Sequence, residues 1–233
     1  MLSLNLIIVI ITCIISITAF SNQKITDDLI FYPPAVSENN QWYRFFTCGF
    51  IHADIPHLVF NMFALYSFGG LVENGGKYTD GSIDGGYVID HGFIPLFGKT
   101  MGEFYYGLMY VAALFFCLLP TYAKHKHNYN YRSLGASGAV SAVIFAGLLL
   151  EPRTGVGFPF IPGVSIPGYI FGPIYLLVST YLAKKGHGNI NHSAHIWGAL
   201  FGLLFVIVTT FAFTDHNVFE EFIWAIKNDL HMN

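Results

Sequence analysis

Six long apolar stretches of this 233-residue chain contain no Lys, Arg, Asp or Glu: Leu2–Phe20, His57–Val72, Phe104–Ala123, Gly135–Leu150, Ile166–Ala183 and Ser193–Phe213. A helix crosses a hydrocarbon core of about 30 Å with roughly 20 apolar residues. These stretches therefore predict an all-α membrane protein, a six-transmembrane-helix bundle forming one domain over residues 1–233. Composition agrees: 11% of residues are charged, against roughly 25% in soluble domains. No low-complexity segment or internal repeat interrupts the pattern.

The first stretch has no Lys or Arg ahead of it, so an uncleaved helix is expected rather than a signal peptide. Residues 75–102 are rich in Gly and Asp and are expected to form a long loop. Residues 152–167 carry four prolines and are expected to be an irregular connection. Beyond Asp215, Val218, Phe219, Phe222, Ile223 and Ile226 fall at helical spacing. They predict a short helix over 216–230, either lying at the membrane interface or docked on the bundle.

A net charge of -3 and the lack of a basic tract leave nucleic acid without a binding surface. Cys13, Cys48 and Cys117 are far apart and suggest neither a disulfide framework nor a zinc cluster. His192 and His195 are three apart, but only neutral residues flank them. No metal or other cofactor is expected.

The fourth stretch opens on Gly135-Ala136-Ser137-Gly138. A serine at a helix start commonly caps it. From Ser137 to Leu150, however, there are only fourteen residues, about 21 Å at 1.5 Å per residue. With Leu150 at one interface, Ser137 lies roughly 10 Å below the other. Irregular backbone at that depth must face packed protein or a water-filled cavity.

Parity then matters. In a six-helix chain that alternates direction, helices two, four and six enter from one face. The second begins with His57 and Asn61, the fourth with Ser137, the sixth with His192 and His195. His57 and Asn61 are four apart and share a helix face. Polar residues in membrane helices turn towards the bundle interior and mark function. Gly138, Ala142 and Ala146 recur every four residues, as do Ala194, Gly198 and Gly202. Such small-residue faces allow close backbone approach, which would bring the Ser137 hydroxyl to the His195 ring.

A serine hydroxyl needs an adjacent base to become a nucleophile, and His195 can serve. No Asp or Glu lies inside the spans to orient the imidazole, so the arrangement is a dyad rather than a triad. His57, Asn61 and the Ser137 N–H are candidate donors for a developing oxyanion. Gly135 and Gly138 would let a substrate backbone come close.

These elements carry a resemblance. "HLVFN" (His57–Asn61), "GASG" (Gly135–Gly138), "AHIWGALFG" (Ala194–Gly202) and "WYRFFT" before the second span are similar to the motifs of rhomboid intramembrane serine proteases of the bacterial six-helix type. The resemblance runs from about Trp42 to Phe213. It implies a serine endopeptidase of the lipid bilayer that cleaves single-span transmembrane proteins near the outer membrane face. It assigns Ser137 as nucleophile, His195 as base, and His57 and Asn61 to the oxyanion site. The gate would be the fifth helix and the loop at 184–192. One position departs: family members carry a Tyr four residues after the nucleophile, against which the imidazole packs, and here that residue is Ser141. Ser141, Trp197 or a water would have to hold His195 instead.

With the amino terminus inside, outer loops hold seven Lys and Arg and inner loops four, opposite to the usual bias. The family orientation is kept because the long 75–102 loop weakens that count. A chain without a transit-like amino terminus is expected in a bacterial plasma membrane. A zinc protease would need an HExxH helix, and no His here precedes Glu. The alternative is an inactive rhomboid-like protein that binds membrane clients. Such relatives lose the Ser or the His, and this chain keeps both.

Overall fold

A computed structural model of the chain describes residues 2–76, 78–79, 88–89, 91–158, 161–185 and 191–230. Six long helices carry the fold: α1 (Leu4–Phe20), α2 (Ile55–Asn74), α3 (Lys99–Phe116), α4 (Ser137–Leu150), α5 (Gly168–Lys185) and α6 (His192–Phe213). A shorter α7 (Val218–Asp229) follows. By length and composition, Ile55–Asn74, Lys99–His125 and His192–Phe213 are long and apolar enough to cross a membrane among the described residues.

Burial is inverted relative to a soluble bundle. In α1 the buried side chains include Asn5, Thr12 and Ser16, while Ile7, Ile10, Ile11, Ile14 and Ile17 are exposed. In α6, Gly198, Ala199 and Gly202 are buried, and Leu200, Leu204, Val208 and Phe211 face outward. Large apolar groups meet lipid while small and polar ones meet protein, as close packing inside a bilayer requires.

α4 is the axis of the molecule. Every residue from Gly138 to Leu150 is buried, the state of a helix that is apolar all round. Its tightest neighbour is α6. A methyl group added at Gly198 would lie 2.0 Å from the Gly138 carbonyl oxygen, and one at Gly202 would lie 2.1 Å from that of Ala142. The two small-residue faces thus bring backbone against backbone. At the far end, buried Glu73 of α2 accepts the Leu4 and Asn5 N–H groups (2.8 and 3.2 Å) and so caps α1.

Several boundaries differ from the expectations. The apolar stretch 104–123 breaks at Cys117-Leu118, and a second helix runs Leu119–His125. Pro120 has no N–H to continue the ladder, but fits in a first turn. The expected loop 75–102 contains the short helix Phe93–Phe97 and ends inside α3. Within residues 152–167, expected to be irregular, two strands pair. They form an antiparallel hairpin, β1 (Gly155–Phe158) with β2 (Ile161–Pro167), because a two-stranded ribbon consists only of edges, where proline is tolerated. α5 accordingly starts at Gly168. α7 docks Val218 and Ala225 but leaves Phe219, Ile223 and Trp224 half exposed, so one edge packs and the next remains apolar and open.

Candidate active site

The loop ahead of Ser137 is held by backbone and histidine together. Phe31 and Ser133 exchange N–H···O bonds (3.0 and 3.1 Å), and the Gly135 N–H donates to the Cys48 carbonyl (2.9 Å). The Ala136 N–H donates to His52 Nε2 (3.4 Å). That makes Nε2 the acceptor, so the neutral ring carries its hydrogen on Nδ1 and donates to Ser16 Oγ (2.9 Å). Ser16 in turn donates to the Phe50 carbonyl (2.9 Å). Burial, with His57 adding to it, pushes the His52 pKa down to about 3 and so keeps the ring neutral.

Gly135 is required here twice over. Its φ is +113°, and an added methyl group would lie 2.7 Å from His57 Cε1. The sequence suggested that Gly135 admits a substrate backbone. Its N–H is spent on Cys48 and the side its missing Cβ leaves free seats the His57 ring, while the residue also lines the cavity beside Ser137. Gly138 likewise makes room for protein: the space its missing Cβ leaves lies 2.5 Å from Cys117 Sγ.

Ala136, not Ser137, occupies the cap of α4, and it makes no side-chain cap bond. The Ser137 hydroxyl points across to α6, where His195 Nε2 lies 2.7 Å from Oγ. His195 is brought there by the Gly198–Gly138 contact one turn further along. Asn191 begins α6 by accepting the Ala194 N–H (3.1 Å), and its amide donates to Thr121 (3.0 Å).

α2 delivers the other two side chains. Asp54 caps it through the His57 N–H (2.7 Å), and Pro56 occupies its first turn. The Ala53 N–H donates to His57 Nδ1 (3.4 Å), which leaves Nε2 to carry the hydrogen. Asn61 spends one amide hydrogen on the His57 carbonyl (2.9 Å) and keeps another. His57, Asn61, Gly135, Ser137 and His195 all line one cavity of about 600 Å³. The first N–H groups of α4 open into the same region, unpaired within the helix. Among the described residues, no group of three His, Cys, Asp or Glu could hold a metal ion.

The chain matches the Rhomboid domain model over residues 39–79 and 92–211. It belongs to the rhomboid family. It is also similar to the Arabidopsis thaliana protein "RHOMBOID-like protein 12, mitochondrial", 30% identical over 164 residues, or 66% of this chain. The match spans 42% of that relative's length. As a rhomboid, the chain is an integral membrane protein with an all-α fold.

Two rhomboid elements look different in three dimensions than in sequence. Arg44 of "WYRFFT" is buried and donates to the Asp27 and Ile30 carbonyls (2.9 and 2.7 Å), tying the segment after α1 to the segment before α2. Trp42 stacks on Phe45. Of the three candidates for holding His195, Trp197 is exposed and Ser141 donates to the Ser137 carbonyl (2.8 Å). Besides His192 of the same helix, edge-on at 5.7 Å, the ring beside His195 is Tyr175 of α5, which no motif marks. His52 also escaped sequence reasoning; its only signal was a second histidine five residues ahead of His57. The expected gate loop 184–192 lies partly outside the described residues, at 186–190.

Proposed function

We propose that this rhomboid is an intramembrane serine endopeptidase acting through a Ser137–His195 dyad on single-span transmembrane substrates. The observation that carries the reading is the 2.7 Å contact between His195 Nε2 and Ser137 Oγ at the wall of a cavity that His57 and Asn61 also line. In the reaction, Ser137 Oγ attacks a peptide carbonyl while His195 Nε2 takes the hydroxyl proton. The carbonyl oxygen becomes an oxyanion, and His57 Nε2–H, the free Asn61 amide hydrogen and the Ser137 N–H are the available donors. One such side-chain donor contributes about 2.7–4 kcal/mol. His195 then returns the proton to the leaving amine, and water releases the acyl group by the same steps in reverse order. Gly138, Gly198 and Gly202 serve this chemistry by setting the α4–α6 separation.

A helical substrate hides its amides in internal hydrogen bonds, so the cut segment must unwind. Substrates with small residues at the cut and Gly or Pro nearby should be preferred; equal cleavage of a poly-Leu segment would contradict this. Cleavage near the outer face of a bacterial plasma membrane is the location carried by this proposal. An inactive client-binding rhomboid is the competing reading. Labelling of the detergent-solubilised protein with a fluorophosphonate separates the two. The wild type should label, and Ser137→Ala and His195→Ala should not, although Ser137→Ala should also insert and fold normally. A folded wild type that stays unlabelled would favour client binding.

A further inference from the structure

His195 has a base's task and, among the described residues, no carboxylate partner. An imidazole held only by its bond to Ser137 would swing about its own side-chain torsions. Two rings stand beside it: His192 of its own helix, edge-on at 5.7 Å between centroids, and, across the helix interface and nearly parallel to it, a ring from the fifth helix. Tyr175 lies 6.4 Å from His195 between centroids, with the planes 29° apart. On its other sides it meets Phe145 of α4 (5.6 Å) and Phe171 of its own helix (5.9 Å). Its hydroxyl is anchored as well. Ser141 has one hydrogen, which it donates to the Ser137 carbonyl (2.8 Å). The 2.8 Å contact between Ser141 Oγ and the Tyr175 hydroxyl is therefore donated by the tyrosine. The chain of bonds runs Tyr175 to Ser141 to the backbone of the nucleophile itself.

We infer that Tyr175 is the positioning residue for His195, its ring packed on the imidazole and its hydroxyl keyed to Ser141. The inference rests on the dyad reading above. A small residue at 141 is what makes it possible: Ser141 is almost wholly buried and leaves the space that the tyrosine fills from across the helix interface. Because the ring belongs to α5, any displacement of that helix removes it from His195. Pro173, two residues earlier, interrupts the α5 ladder and places a bend point beside the contact.

The test is saturation labelling of the full-length protein in detergent by a fluorophosphonate, which separates probe binding from the chemical step. Tyr175→Leu should lower the maximal labelling rate by about 100-fold, the cost of misplacing a reacting group by about 1 Å. Its half-saturating probe concentration should stay near wild type. Tyr175→Phe keeps the ring and should label within about 10-fold of wild type, since second-layer losses run from about 10- to 100-fold. Should Tyr175→Leu fail to fold, Tyr175→Met removes the ring at nearly the same side-chain length. A wild-type rate without the ring overturns the inference. So does a loss confined to probe binding, or an equal loss in Phe and Leu. A wild type that does not label at all sinks the dyad and this inference with it, and is distinguished by the absence of any reactive serine.

Discussion

The closest test of how the dyad is assembled is a single added methyl group, Gly198→Ala. In the native packing that methyl would lie 2.0 Å from the Gly138 carbonyl oxygen and 2.8 Å from its carbon. A carbon and a carbonyl oxygen rest at roughly 3.3–3.6 Å, so the helices must part by about 1.3 Å. Neither obstructing atom is a side chain that can rotate away. Overpacking of this kind costs about 1–3 kcal/mol. The functional cost is larger in proportion, because His195 is three residues from the insertion and Ser137 is adjacent to Gly138. The 2.7 Å contact between them would stretch beyond hydrogen-bond range, and a shift of about 1 Å costs on the order of 100-fold in rate. Fluorophosphonate labelling and thermal unfolding in one detergent would read both effects. Leu200→Ala is the control: it shortens an outward-facing side chain of the same helix and should leave labelling unchanged. A Gly198→Ala protein that labels at the wild-type rate would refute the backbone-on-backbone account of the site.

Other outcomes follow from the same geometry. Gly135→Ala places a residue with a Cβ at φ +113°, 2.7 Å from the His57 ring. It should cost about 1–3 kcal/mol in backbone strain and lower substrate cleavage by about 100- to 1000-fold through loss of an oxyanion donor. His52 gives a pH dependence. Its pKa is pushed down to about 3 by burial, then by His57, with Asp54 opposing, whereas the unfolded chain takes up this proton near 6.5. The unfolded state therefore binds more protons between those values, and the stabilisation present above about pH 6.5 is lost as pH falls towards 3. His52→Gln should flatten the unfolding midpoint across that window, and an unchanged slope would remove His52 from the account.

Much of the bilayer architecture is already written in one dimension. Charge-free stretches place the helices because a charged side chain is costly in hydrocarbon. Parity puts the starts of α2, α4 and α6 on one face whatever their packing. Small residues every four positions announce the close α4–α6 contact. Ser137, His195, His57 and Asn61 could be nominated from these facts alone, since each stands at a helix start with a side chain suited to the role proposed for it. The break at Cys117-Leu118 and the hairpin at 155–167 were less accessible, because proline marks a discontinuity without naming what replaces the helix.

What only the tertiary structure decided is which side chains meet across helices. α4 is apolar on every side, so its sequence has no direction that says Ser141 faces α5. Tyr175 is one of 14 tyrosines and becomes special only when α5 lays it between Ser141 and His195. His52 looks like a loop histidine until burial, Ser16 and the Ala136 N–H fix its tautomer. Gly135 reads as room for a substrate, and only the structure shows the His57 ring on the side its missing Cβ leaves free. Helical periodicity places residues on a common face; the neighbour that face meets is set by packing between segments far apart in the chain.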